Sequence, residues 1–154
     1  VDGIMSKPML YLSLYFKTNR QSYYEHLQLV RESGDWEEWL HFFLKGIIET
    51  ANQAVLSSQN ILKIFTEDRH QIETIGKSTA SVLKIHAYLQ QHPVTDSKSI
   101  AASCQLMLTT TNKSLRHLID LEIVKEITGK ARNKIYVYKK YLDVLSESTS
   151  PIIE

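Results

Sequence analysis

The sequence predicts a mainly α chain: a helical N-terminal portion, a long connecting helix, and a winged helix-turn-helix with a small β-hairpin wing. Three observations lead there. From Tyr23 to Leu89 apolar residues recur mostly at steps of three and four, the period of a helix with one buried face. No proline stands between Pro8 and Pro93, and Gly46 is the only glycine between Gly34 and Gly76, so one helix can run far. From Ile100 to Tyr138 a short helix signal, a tight connection, a second helix and two strand-like runs follow in the order of a winged helix-turn-helix.

Met9 to Phe16 follows Pro8, which suits the first turn of a helix, and its continuous apolarity suggests a buried one, with a strand as the other reading. Arg20 to Ser33 is helical by period, with Tyr23, Tyr24, Leu27 and Val30 as its stripe and Gly34 as its C-cap. Asp35 caps the next helix, and Glu37 and Glu38 lie in its first turn, where the helix dipole favours anions. Trp36, Trp39, Phe43, Ile47, Ala51, Ala54, Ile61 and Phe65 carry it to about Arg69, roughly 50 Å of helix at 1.5 Å per residue. Gln71 to Thr79 is the expected junction. It divides a helical portion over residues 1–70 from a winged helix over 77–146, with a tail over 147–154.

Ser81 to Gln91 resumes a helix, which His92-Pro93 ends. Val94 to Ser99 reads as a loop, with Ser97 or Ser99 capping the short helix Ile100 to Cys104. Gln105-Leu106-Met107 is the turn. Thr109, Thr110 and Thr111 offer hydroxyls for the next N-cap. On the helix that follows, Thr111, Leu115, Leu118 and Ile119 share one face, while Asn112, Lys113 and Arg116 share the other. The strand runs are Ile123 to Ile127 and Lys134 to Tyr138, joined by a turn in which Gly129 allows positive φ. Lys139 to Leu145 closes the chain with a short helix.

A winged helix reads duplex DNA with its second helix and touches the backbone with its wing. The side chains expected to do so here are Thr110, Asn112, Lys113 and Arg116 on the helix, and Lys130, Arg132, Asn133 and Lys134 on the wing. Asn and Arg match adenine and guanine edges in bidentate fashion, and Lys suits a phosphate. The competing reading is a module that contacts only protein, because the fold serves both uses.

Charge leans the same way. The 154 residues carry a net +1, but residues 1–75 hold seven Lys+Arg against ten Asp+Glu, a net −3. Residues 76–145 hold eleven against five, a net +6, and the last nine residues hold two acids. A local positive field favours a polyanion and makes binding fall with salt. No apolar run is long enough to span a membrane. The start at Val1 is neither a Met nor a signal peptide, so a fragment is expected. The single cysteine, Cys104, forms no internal disulfide, suits a reducing cytoplasm, and reads as a small buried thiol.

No catalytic constellation emerges. Gly76-Lys77-Ser78 echoes the end of a phosphate loop, but position 71 is Gln71 where that motif needs glycine, and no strand precedes it. The six histidines show no metal-ligand spacing. Asp35, Glu37 and Glu38 are explained by capping, and Trp36 and Trp39 by packing.

One resemblance adds to this reading. Pro8, Leu10-Tyr11-Leu12-Ser13, Tyr15-Phe16, Asn19-Arg20, Tyr23-Tyr24, Gly34-Asp35-Trp36, Trp39, Phe42-Phe43 and Gly46 lie within Lys7 to Ala51. Together they resemble the C-terminal part of the Fic domain of bacterial Fic/DOC family proteins. Thr111-Asn112-Lys113, Glu126-Ile127-Thr128-Gly129-Lys130, Arg132-Asn133 and Tyr136-Val137-Tyr138 are similar to the winged helix that often follows that domain. The resemblance implies a parent protein that transfers AMP from ATP, with Mg, to a hydroxyl side chain of a target protein. The motif that does so, His-Pro-Phe-x-Asp-Gly-Asn-Gly-Arg, is not in this sequence: His92-Pro93 continues as Val94-Thr95-Asp96-Ser97, and Asp2-Gly3 continues as Ile4. The family's inhibitory Ser/Thr-x-x-x-Glu-Gly/Asn element has no match either. No catalytic residue and no cofactor is therefore assigned to this chain. The implied partners are duplex DNA, the remainder of the Fic domain and a second copy of the chain, and no membrane. An exposed aromatic groove around Met9 to Phe16 is expected where upstream chain would lie.

Overall fold

The computed structural model describes residues 12–130 and 132–147. They form α1 (Leu12–Thr18), α2 (Arg20–Ser33), α3 (Trp36–Glu73), α4 (Thr79–Gln91), β1 (Val94–Asp96), α5 (Ser97–Ser103), α6 (Leu108–Asp120), β2 (Lys125–Glu126), β3 (Ile135–Val137) and α7 (Lys139–Glu147). The chain is mainly helical with one small antiparallel sheet, in the strand order β1-β3-β2. Among the described residues no helix is long and apolar enough to cross a membrane. Two compact units result, Asn60–Val144 and the remainder. The division falls inside α3, upstream of the junction read over Gln71 to Thr79.

In the first unit α2 has the bounds its period predicts. Gly34, at φ 71°, ends it and donates its N–H to Val30 O at 3.1 Å. Glu38 N–H donates to Asp35 Oδ1 at 3.3 Å, the expected cap of α3. Met9, Leu10 and Tyr11 lie outside the described residues. In the described part of that run Tyr15 is buried, its ring 5.3 Å from that of Phe42, and Phe16 stacks on Trp39, Phe42 and Phe43, while Tyr15 and Phe42 also line an open pocket of about 460 Å³ with His26 and His41. The closeness depends on Gly46, where a Cβ would stand 2.5 Å from the Tyr15 ring. The expected α2 stripe is only partly correct. None of its residues is fully buried and Tyr24 is exposed, although Tyr23 packs on Phe16 of α1 and Trp39 of α3.

In the second unit Ile72, Ile85, Leu89, Ile100, Leu115, Leu118 and Ile123 build one core, with Phe65 and Tyr141 against it. Several expectations need correction here. Val94–Asp96 is a strand, not a loop. It pairs antiparallel with β3, Val94 opposite Val137 and Asp96 opposite Ile135. The cap of α5 is Asp96, not Ser97 or Ser99: its carboxylate accepts from Lys98 N at 2.8 Å and Ser99 N at 3.1 Å, so the helix starts three residues early. The Thr run does not cap α6. That helix begins at Leu108, Met107 stands at the cap without a side-chain bond, and Thr109 to Thr111 lie inside it. The first wing strand shrinks from Ile123–Ile127 to Lys125–Glu126. Ile123 and Val124 instead turn their side chains into the core, and both their amides donate to Leu118 O, closing the end of α6.

Candidate nucleic-acid interface

The helix α6 is sorted by its own sequence. Thr111, Ser114, Leu115 and Leu118 are buried, while Asn112, Lys113 and Arg116 are exposed. Apolar burial fixes its rotation about its axis, and one polar bond adds to it: Ser114 Oγ lies 2.9 Å from Ser81 Oγ of α4. Thr111 Oγ1 is buried without a protein partner. The turn before α6 is tight, with Gln105 in the left-handed region at φ 50°.

The wing is set by its turn. Gly129 takes φ 62°, as its lack of a Cβ allows, and Asn133 takes φ 53°, which asparagine tolerates better than most residues. Glu126 organises this turn. Its Oε1 accepts from Thr128 N at 2.7 Å, from Gly129 N at 3.0 Å and from the Thr128 hydroxyl. The Thr128 hydroxyl first, and then these amides, hold the Glu126 carboxyl below its ordinary range.

Between α6 and the wing lies a cleft of about 450 Å³. Leu115 and Tyr136 form its apolar floor. Asn112 and Arg116 border it from the helix, and Arg132, Asn133 and Lys134 from the wing. Five of the eight expected site residues thus meet at one opening. Thr110 and Lys113 lie on α6, and Lys130 in the wing turn, outside that lining. Burial pushes the Tyr136 hydroxyl up, the Glu126 carboxylate adds to the rise, and the Arg116 guanidinium opposes it. An acid from the wing and a cation from the helix therefore bear on the same phenol.

Sequence reasoning missed Ser97 and Lys98, which line the cleft from the start of α5. The signal was present in Asp96: had it been read as the cap, the two residues after it would have faced outward from a helix start. It also missed Glu126, whose role rests on bonds within the turn. Chemically the opening offers amide and guanidinium donors to an anion. Among the described residues no group of three or more His, Cys, Asp or Glu is placed to hold a metal. No family model matches the chain.

Proposed function

We propose that the unit formed by Asn60–Val144 binds duplex DNA, with Asn112, Lys113 and Arg116 toward base edges or phosphates and Lys130, Arg132 and Lys134 on the backbone. The observation that carries this reading is the meeting of Asn112, Arg116, Arg132, Asn133 and Lys134 at one opening, in the stretch that holds the net +6. The acid there, Glu126, already accepts three bonds within the wing, which limits its repulsion of a polyanion.

The test is a titration of labelled duplex at several salt concentrations. Binding should weaken steeply with salt, and Arg132→Ala should lower the log–log slope by about one. If Arg116 reads a base, Arg116→Ala should cost about 1–3 kcal/mol and relax sequence preference. Affinity that is immeasurable at low salt, or indifferent to salt, refutes the proposal.

The second reading is a protein-contact module. Met107 and Leu108, exposed by 75% and 44% at the start of α6, favour it, since apolar side chains there suit a partner surface. A Lys113→Ala, Arg116→Ala pair that leaves DNA binding unchanged but alters association supports that reading instead.

The residue matches over Lys7 to Ala51 and Thr111 to Tyr138 support reading the chain as the C-terminal portion of a bacterial cytoplasmic Fic-family protein. AMP transfer would then belong to the parent, with ATP and Mg bound there, and this chain would bind rather than catalyse. The buried Cys104 suits the cytoplasm. AMP transfer from labelled ATP by this chain alone would overturn that division of labour.

A further inference from the structure

Among the described residues the helix α3 carries a second apolar face that is largely exposed. Trp36, Leu40, Leu44 and Val55 are each more than half exposed, and Ile47 is 36% exposed. At 100° per residue these five, with Ala51, fall within about a third of the helix circumference. Trp39 and Phe42 point away from it and take the packing of α1 and α2, while Phe43 borders it and packs on Phe16 of α1.

The spacing along this face is symmetric. Trp36 and Val55, Leu40 and Ala51, and Leu44 and Ile47 form three pairs, each equidistant from the midpoint between Lys45 and Gly46. A helix with that property matches itself when reversed. Trp36 then meets the partner's Val55, Leu40 the partner's Ala51, and Leu44 the partner's Ile47. Leu40, Leu44, Ile47 and Ala51 also follow the alternating steps of four and three of a coiled-coil seam. Ile48, 61% exposed, adjoins the same face and adds to it.

Charge selects the direction. A parallel pair would set Glu37 of both copies together and align the two helix dipoles. Reversal opposes the dipoles and sets Glu37, at the edge of this face, against the partner's neutral Ala54.

We infer that the chain forms a homodimer through antiparallel pairing of α3 over this face. The inference is independent of DNA binding, and its test contains no DNA. Sedimentation equilibrium of the full chain should give a concentration-dependent dimer. Leu44→Glu should weaken self-association by about a hundredfold or more, because twofold symmetry repeats the lesion and each copy loses a buried leucine. Its circular dichroism should be unchanged, since Leu44 is exposed in the single chain. Spin labels at Lys45→Cys, in a Cys104→Ala background, should lie close across the dimer. Labels at Gln59→Cys should lie far apart, whereas a parallel pair brings both sets close. These distances decide the matter even where Leu44→Glu does not fold. A wild-type chain that stays monomeric at every concentration overturns the inference and gives the face to a different protein. Short distances at both positions, or a dimer that survives Leu44→Glu, overturn it equally.

Discussion

Tyr138 joins residues far apart in the chain. Its hydroxyl donates to Asp68 Oδ2 at 2.7 Å, which leaves its oxygen to accept from His86 Nε2 at 3.1 Å. With the proton on Nε2, His86 Nδ1 accepts from Gln90 Nε2 at 3.4 Å. Lys140 Nζ lies 3.5 Å from Asp68 Oδ1 and meets the charge. All three central side chains are buried, so each bond is made where water cannot replace it. Tyr138→Phe strips the carboxylate of its shortest bond and should cost about 2–3 kcal/mol in urea unfolding. Burial lowers the His86 pKa, so the folded chain favours the neutral ring. The unfolded chain therefore binds more protons as pH falls. This contribution to stability is complete above the ordinary histidine value of 6.5 and is lost progressively below it, toward the lower folded value. Melting temperatures measured across that range should fall, and His86→Gln should flatten the dependence. None of this was legible in the sequence, where Asp68 and Tyr138 stand 70 positions apart and each looks like an ordinary end of an element.

At the scale of elements, the legible features were those whose cause is local. The bounds of α2, the Gly34 cap, the Asp35 cap and the run of α3 all follow from capping chemistry and helical period within one segment. The strand β1 did not, because three residues become a strand only when β3 arrives to bond them. The cap of α5 follows from the strand, since Asp96 ends β1 and starts the helix. Gly46 is a similar case. Mid-helix glycine ordinarily weakens a helix by about 1 kcal/mol relative to alanine. Here the missing Cβ lets the Tyr15 ring approach. Gly46→Ala should therefore destabilise, by about 1–2 kcal/mol net, since overpacking outweighs the propensity gain. Thermal unfolding followed at the aromatic signals of the first unit would check it, and a stabilised variant would show that the ring simply moves aside.

At the scale of the molecule, the second unit includes the end of α3. Phe65 packs on His86 of α4, on Tyr138 between β3 and α7 and on Tyr141 of α7, Asp68 bonds Tyr138, and Ile72 joins the same core. A chain trimmed to residues 77–146, the winged helix read from sequence, would lose all three and leave Tyr138 without its acceptor. It should lack cooperative unfolding in calorimetry, while one trimmed to residues 60–144 should keep it. A sharp transition in the shorter chain would show that the core does not need α3.

The helices, their order and the outward face of α6 were legible because period, caps and charge act between near neighbours. The convergence of Asn112, Arg116, Arg132, Asn133 and Lys134 on one opening was not. It depends on how far the wing folds back over α6, which Ile123, Val124 and Tyr136 set by burying their side chains in a shared core. Burial is a property of the assembled chain, so no stretch read alone can report it.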